Sequence, residues 1–187
     1  MYRDLISQLA QSVLILCADS AEVERDTMRL IIEEEGECPN GSYEQVVEIV
    51  EECSMVSKLD VLTLWEQIAF GWVVGLQMGY DDFALYAPHK GLYNLSPIYS
   101  FDVDMDCEEL PLTLNRKCKG LTRSDFESAM KRSGLRAKII NGVFSRFADA
   151  LPKWHDTIDT SEFAEEFKTK YKEFLSARVR AVSPLES

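Results

Sequence analysis

Residues 57–83 read SKLDVLTLWEQIAFGWVVGLQMGYDDF. Leu62, Leu64, Trp65, Ile68, Ala69, Trp72, Val73 and Leu76 make the first part of this stretch apolar on nearly every side. A helix with no polar face cannot lie on a surface, so this one belongs in the middle of a core. At Met78 the pattern changes. A short loop carrying Gly79 and the pair Asp81–Asp82 leads into two aromatic-rich runs, 82–87 and 92–95, separated by the turn-forming PHKG of 88–91. Two such runs around a tight polar turn predict a β-hairpin.

Working toward the N-terminus, CPNGS at 38–42 reads as a loop. Ser42 and Gln45 stand at the spacing of a capping box, followed by the buried stripe Val46, Val47, Ile49 and Val50. Leu5, Leu9, Val13 and Leu16 predict an amphipathic first helix, and a second is predicted over Ser20–Glu35 with Val23, Leu30 and Ile31 inward. Glu33, Glu34 and Glu35 oppose the helix dipole, so that helix should fray at its C-terminal end.

Toward the C-terminus, SPIYSFDVDMDCEELP at 96–111 is irregular and acidic, and Leu112–Leu114 is a short extended piece. Thr122 should cap a helix carrying Phe126, Ala129 and Met130 that ends at Gly134. A further helix is predicted over Ile139–Leu151 with Ile140, Val143, Phe144 and Phe147 inward, closed by Pro152. The last is predicted over Ser161–Val182, its ridge formed by Phe163, Phe167, Tyr171 and Phe174. The fold class expected is mainly α with a small β-hairpin.

At 187 residues the chain suits one hydrophobic core. Twenty Lys and Arg against thirty-two Asp and Glu leave a net charge of -12, which repels nucleic-acid phosphate unless the cations share one face. The nearest approach to such a face is Arg116, Lys117, Lys119, Arg123, Lys131, Arg132, Arg136 and Lys138, spread over an extended segment and two helices and read as solvated surface. The five cysteines, Cys17, Cys38, Cys53, Cys107 and Cys118, lack zinc-ligand spacing and fit a reducing cytoplasm. The start MYRDLISQLAQSVLILCADSA is expected to be an amphipathic helix rather than a secretory signal: Asp4 cancels Arg3, Gln8 and Gln11 interrupt the apolar run, and Leu16 is too bulky for the cleavage position. No apolar run is long enough for a membrane span, so neither membrane nor nucleic acid is an expected partner.

Three segments together resemble the C-terminal lobe of the HipA family of serine/threonine kinases. They are GSYEQVVEIVEECS with LTLWEQIAFGWVVG, then the hairpin with GLYNLSPIYS, then LPLTLNRKCKGLTRSDFESAMKRSGL with IINGVFSRFADALPKW. The likeness covers about residues 41–182 in the family's order. It implies a lobe over 41–187 preceded by an N-terminal helical extension over 1–40. No Gly-rich loop or Val-Ala-x-Lys strand precedes it, so the nucleotide-binding N-lobe is expected to be absent.

The resemblance also implies where catalysis would sit. The family loop reads Asp-Gly/Asp-His-x-Lys-Asn-Phe and its magnesium-binding Asp ends Pro-x-Tyr-Asp. Here the loop is MGYDDF, 78–83, one residue short, with Met78 for the catalytic Asp and Tyr80 for the His, while Ser100 replaces the magnesium ligand. A thioether neither accepts a proton nor binds a hard cation, and a hydroxyl is a poor magnesium ligand. The function expected is therefore pseudokinase-like: a non-catalytic lobe acting through protein–protein contact in a toxin–antitoxin setting, without a cofactor. Its partner would be a second copy, a separate N-lobe subunit or a HipB-like antitoxin.

The alternative is a divergent phosphotransferase using Asp81, Asp82 and Asp102 with magnesium and ATP. Asp82, Asp102, Asp104 and Asp106 are the candidate metal ligands, although an EF-hand would need Gly where Cys107 stands and Glu where Thr113 stands. His89 and His155 are expected on the surface, and Trp65 and Trp72 in the core.

Overall fold

The computed structural model describes residues 2–18, 27–29, 41–89, 91–107 and 109–183, with the backbone alone at 27–29, 88 and 89. In chain order the elements are α1 (Tyr2–Ser12), β1 (Thr27–Arg29), α2 (Tyr43–Cys53), α3 (Ser57–Val74), β2 (Ala84–His89), β3 (Leu92–Leu95), α4 (Arg123–Arg132), α5 (Ala137–Asp159) and α6 (Glu165–Val182). The molecule is mainly α, and its strands form one antiparallel sheet in the order β1-β2-β3.

The central helix is α3, as its all-round apolar sequence requires. Leu64, Trp65, Ala69, Phe70, Val73 and Val74 are all fully buried. It stops at Gly75, whose φ of 82° lets the chain turn while the Leu76 N–H donates to the Gly71 carbonyl at 2.8 Å. Tyr171 of α6 then donates its hydroxyl to the Val74 carbonyl at 2.9 Å, satisfying an acceptor the helix end leaves open. Leu5, Ile6, Leu9 and Ala10 of α1 belong to the same apolar cluster.

Four expectations need correction. First, α1 ends at Ser12 rather than reaching Leu16. Leu14 adopts φ 63°, Leu14 N–H bonds Gln11 O and Ile15 N–H bonds Ala10 O, which is a Schellman closure with leucine where glycine is usual. The next residues run extended beside Ile98, whose N–H donates to Leu16 O, and Leu16 is left exposed.

Second, the helix expected over 20–35 falls mostly outside the described residues, but Thr27–Arg29 form a strand paired with Ala84–Tyr86. The loop expected at 38–42 is described only at Gly41 and Ser42.

Third, Pro152 lies inside α5, which continues to Asp159. An interior proline costs about 3 kcal/mol of helix stability. Here Trp154 and Ile158, both fully buried, offset that cost, because they reach the core only if the helix goes on.

Fourth, α6 starts at Glu165, so Phe163 precedes it. The aromatic ridge is a stacked ladder with centroid spacings of 4.5 Å from Phe163 to Phe167, 5.3 Å to Tyr171 and 6.2 Å to Phe174. The deepest residues of this helix are Tyr171, Leu175 and Val182.

The hairpin lies where the sequence put it, although β2 starts at Ala84 because 80–82 form a single 3-10 turn. Pro88 cannot donate a ladder hydrogen bond, and the pairing is irregular between Tyr86 and His89, beyond the reach of β1.

The capping box of Ser42 with Gln45 forms, and at the start of α4 the Thr122 N–H and hydroxyl both donate to Asp125 Oδ2. Asp125 anchors a wider network. Leu114 and Lys117 exchange backbone hydrogen bonds across Asn115 and Arg116, both with positive φ, in a two-residue hairpin turn. Asn115 donates its N–H to Glu44 Oε1 at 2.8 Å and its amide to Asp125 Oδ1 at 3.0 Å, and Arg132 donates to both Asn115 and Glu44. Of the eight cations read as solvated surface, Lys117, Lys119, Arg123, Lys131 and Arg132 pair with carboxylates.

Burial raises the Asp125 pKa, but hydrogen bonds from Lys117, Asn115 and Thr122 outweigh burial and hold the carboxyl well below the usual carboxylate range. A depressed folded pKa adds stability above the unfolded value of about 3.9, and that stability is lost as pH falls through the folded pKa. Asp125→Ala is expected to cost about 3 kcal/mol at neutral pH, because it removes the acceptor of four donor groups, Lys117 Nζ, Asn115 Nδ2, Thr122 N–H and Thr122 Oγ1. In urea titrations the gap to the parent chain should be full at neutral pH and narrow once the pH drops below about 4.

Candidate functional site

The loop that follows α3 is where the sequence placed the chemistry. Met78 is 2% exposed, and a Cβ added at Gly71 would lie 2.6 Å from the Met78 sulfur. The thioether therefore fills the hollow that glycine leaves on the face of α3. Tyr43 donates its hydroxyl to the Met78 carbonyl at 3.0 Å. Burial, and then the negative charge of Asp82, push the Tyr43 phenol far up, so it remains a donor.

Tyr80 is held equally firmly. Its hydroxyl donates to Gln45 Oε1 at 2.7 Å, and its ring lies where a side chain at Gly41 would go. Residues 80–82 close a 3-10 turn in which Gly79 N–H donates to Asp82 Oδ2 at 2.8 Å. Asp82 is half-buried and Asp81 exposed.

The second half of the site lies alongside. Tyr99 donates to the Asp81 carbonyl at 2.7 Å, Gln77 N–H to Asp102 O at 2.9 Å, and Leu76 bridges Val103 antiparallel. The fold thus brings loop 78–82 beside 99–103, with Ser100 half-buried and Asp102 exposed.

The other candidate ligands are used elsewhere. Asp104 Oδ1 accepts from the N–H groups of Asp106 and Cys107. Asp106 pairs with Lys170 at 2.7 Å, which raises the Lys170 pKa. Among the described residues, no three His, Cys, Asp or Glu side chains gather around a common point able to hold a metal ion.

His155 differs from expectation. It is half-buried, with Nε2 3.1 Å from Ser176 Oγ, a pairing across 21 residues that spacing does not suggest. Ser176 gives its own hydrogen to the Lys172 carbonyl at 2.7 Å, so the imidazole is the donor to Oγ. That polarity is the reverse of what activates a nucleophile. The side chain of His89 lies outside the described residues. The Glu44–Asn115–Asp125–Arg132 network has no signal in the sequence beyond the spacing of Thr122 and Asp125.

No protein-family model matches the chain, and no curated protein sequence matches it. A solved structure does: the complex of the toxin–antitoxin proteins HipA and HipB with operator DNA from Shewanella oneidensis MR-1. The HipA chain superposes with a TM-score of 0.63 at 15% identity, over 78% of the present chain. The present chain spans 38% of that protein's length. The fold is HipA-like. Among the described residues, no helix is long and apolar enough to cross a membrane.

Proposed function

We propose that this chain is a HipA-like C-terminal lobe that does not transfer phosphate and acts in the cytoplasm by binding another protein, in a toxin–antitoxin setting. The observation that carries the reading is the burial of Met78 over Gly71, because the resemblance assigns that position to the catalytic carboxylate. A group that must meet a target hydroxyl cannot do so from inside the core. Ser100 supplies no anionic oxygen, and Asp82 uses one of its two oxygens on the Gly79 N–H.

The partner would be a HipB-like antitoxin, a separate N-lobe subunit or a second copy. The matched HipA is found with HipB and operator DNA, and the net charge of -12 favours contact with protein over contact with DNA.

A second reading, a divergent phosphotransferase using Asp81, Asp82 and Asp102, draws on the backbone contacts that bring segment 77–82 beside 99–103, through the Tyr99 and Gln77 hydrogen bonds. Calorimetry with magnesium and ATP, together with radiolabelled ATP on the purified chain, decides between them. Neither heat of binding nor transfer of label is expected. Label on the chain or on an added protein, lost in Asp82→Ala, would replace the first reading with the second.

A further inference from the structure

We infer that the corner between α2 and α3 is a docking surface for a basic, apolar-anchored helical segment of a partner protein, an inference that rests on the binding role proposed above. Met55, Val56 and Leu59 are 57%, 43% and 61% exposed, three large apolar side chains within five consecutive residues. Isolated apolar residues on a surface are ordinary; a contiguous group marks a contact site.

The backbone beneath them is clamped. Met55 N–H donates to the Tyr93 carbonyl at 3.0 Å, while the buried Asp60 accepts from Ser54 Oγ at 2.6 Å and from Leu95 N–H at 2.8 Å. These bonds hold the corner on β3, so the apolar group is presented in a fixed shape and little ordering is lost on binding.

Charge selects the occupant. Glu48, Glu51 and Glu52 are exposed on α2 directly before the corner, and no cation pairs with them among the described residues. Glu51 and Glu52 sit in the last turn of α2, which has no basic residue, so the helix dipole opposes them. Both the carboxylates and the bare apolar group cost the isolated chain free energy, and one ligand relieves both: Lys or Arg against the glutamates, with Leu or Ile at i+3 and i+4 against the corner. Strand addition is excluded at Tyr93, whose carbonyl is already taken. Anionic lipid and nucleic acid are repelled by the same carboxylates.

The test is a nuclear magnetic resonance titration of the full chain with a synthetic amphipathic helix bearing lysines beside a leucine ridge, against the same residues in scrambled order. Shifts confined to residues 48–59 are expected, with affinity falling about tenfold in Leu59→Ser and in the triple variant Glu48→Gln, Glu51→Gln, Glu52→Gln. These are surface changes, so each variant should melt as the parent does. Equal binding of the scrambled peptide, or shifts scattered over the whole acidic surface, would overturn the inference. So would corner resonances that move on simple dilution, which would make the occupant a second copy. Any of these results leaves the non-catalytic reading intact, because only nucleotide binding or phosphate transfer tests that.

Discussion

Trp154→Ala is expected to destabilise the chain by about 3–5 kcal/mol, the usual cost of deleting a buried aromatic. The indole is fully buried, with ring centroids 6.1 Å from both Phe70 and Phe147, so truncation opens a void among α3, α5 and α1. It also loses two hydrogen bonds, from Nε1 to the Leu9 carbonyl at 3.2 Å and to Ser12 Oγ at 2.7 Å. Both acceptors lie at the end of α1, where Ser12 Oγ itself donates to the Leu9 carbonyl at 2.7 Å, so the indole N–H closes a three-membered cap on that helix end. Beyond the void, the substitution removes the gain from carrying α5 through Pro152, so the last two turns should come loose. Hydrogen exchange tests this: amides of 153–159 should lose protection more than those of 139–150. Trp154→Phe keeps the apolar contact, should cost about 1–2 kcal/mol and should leave the helix intact. Equal protection on both sides of Pro152 in the alanine variant would mean that other contacts, such as those of Ile158, carry the helix.

That case shows what local sequence rules can and cannot read. The capping box at Ser42 is legible because donor and acceptor lie three residues apart, and Thr122 is legible as the residue that opens α4. The place of α3 is legible because a helix apolar on every side has only one environment open to it. Pro152 misleads because the rule for proline is local, whereas the burial that overrides it joins residues 154 and 9. Thr27–Arg29 are too few to declare their conformation, and pairing with β2 decides it. The site is half legible. Sequence marks Met78, Tyr80 and Ser100 as substituted, yet the glycines that receive the Met78 and Tyr80 side chains, Gly71 and Gly41, give no signal until the fold brings them together. His155 and Ser176, and the network around Asn115, are likewise products of packing.

Met78→Asp tests the proposed reading most directly, because it places at this position the carboxylate that the loop of the HipA family, by resemblance, carries. The side chain would lie against Gly71, where the variant loses the methionine's packing and puts an anion in place of a buried thioether. The expected cost is on the order of 4 kcal/mol at neutral pH, against less than about 1.5 kcal/mol for the volume-conserving Met78→Leu. Desolvation would raise the new carboxyl's pKa in the folded state above its unfolded value. The native state then holds the proton more tightly, so the deficit should shrink as pH falls and grow as pH rises toward the folded pKa. Urea titrations of both variants across that range measure it. Phosphate transfer should not appear even with Ser100→Asp added, since the introduced aspartate faces the core and Tyr43 ties its backbone carbonyl down. A stable, pH-insensitive Met78→Asp chain would mean that the loop turns outward readily. Position 78 would then be open to a catalytic group after all, and the proposed absence of phosphate transfer would rest on the methionine side chain alone.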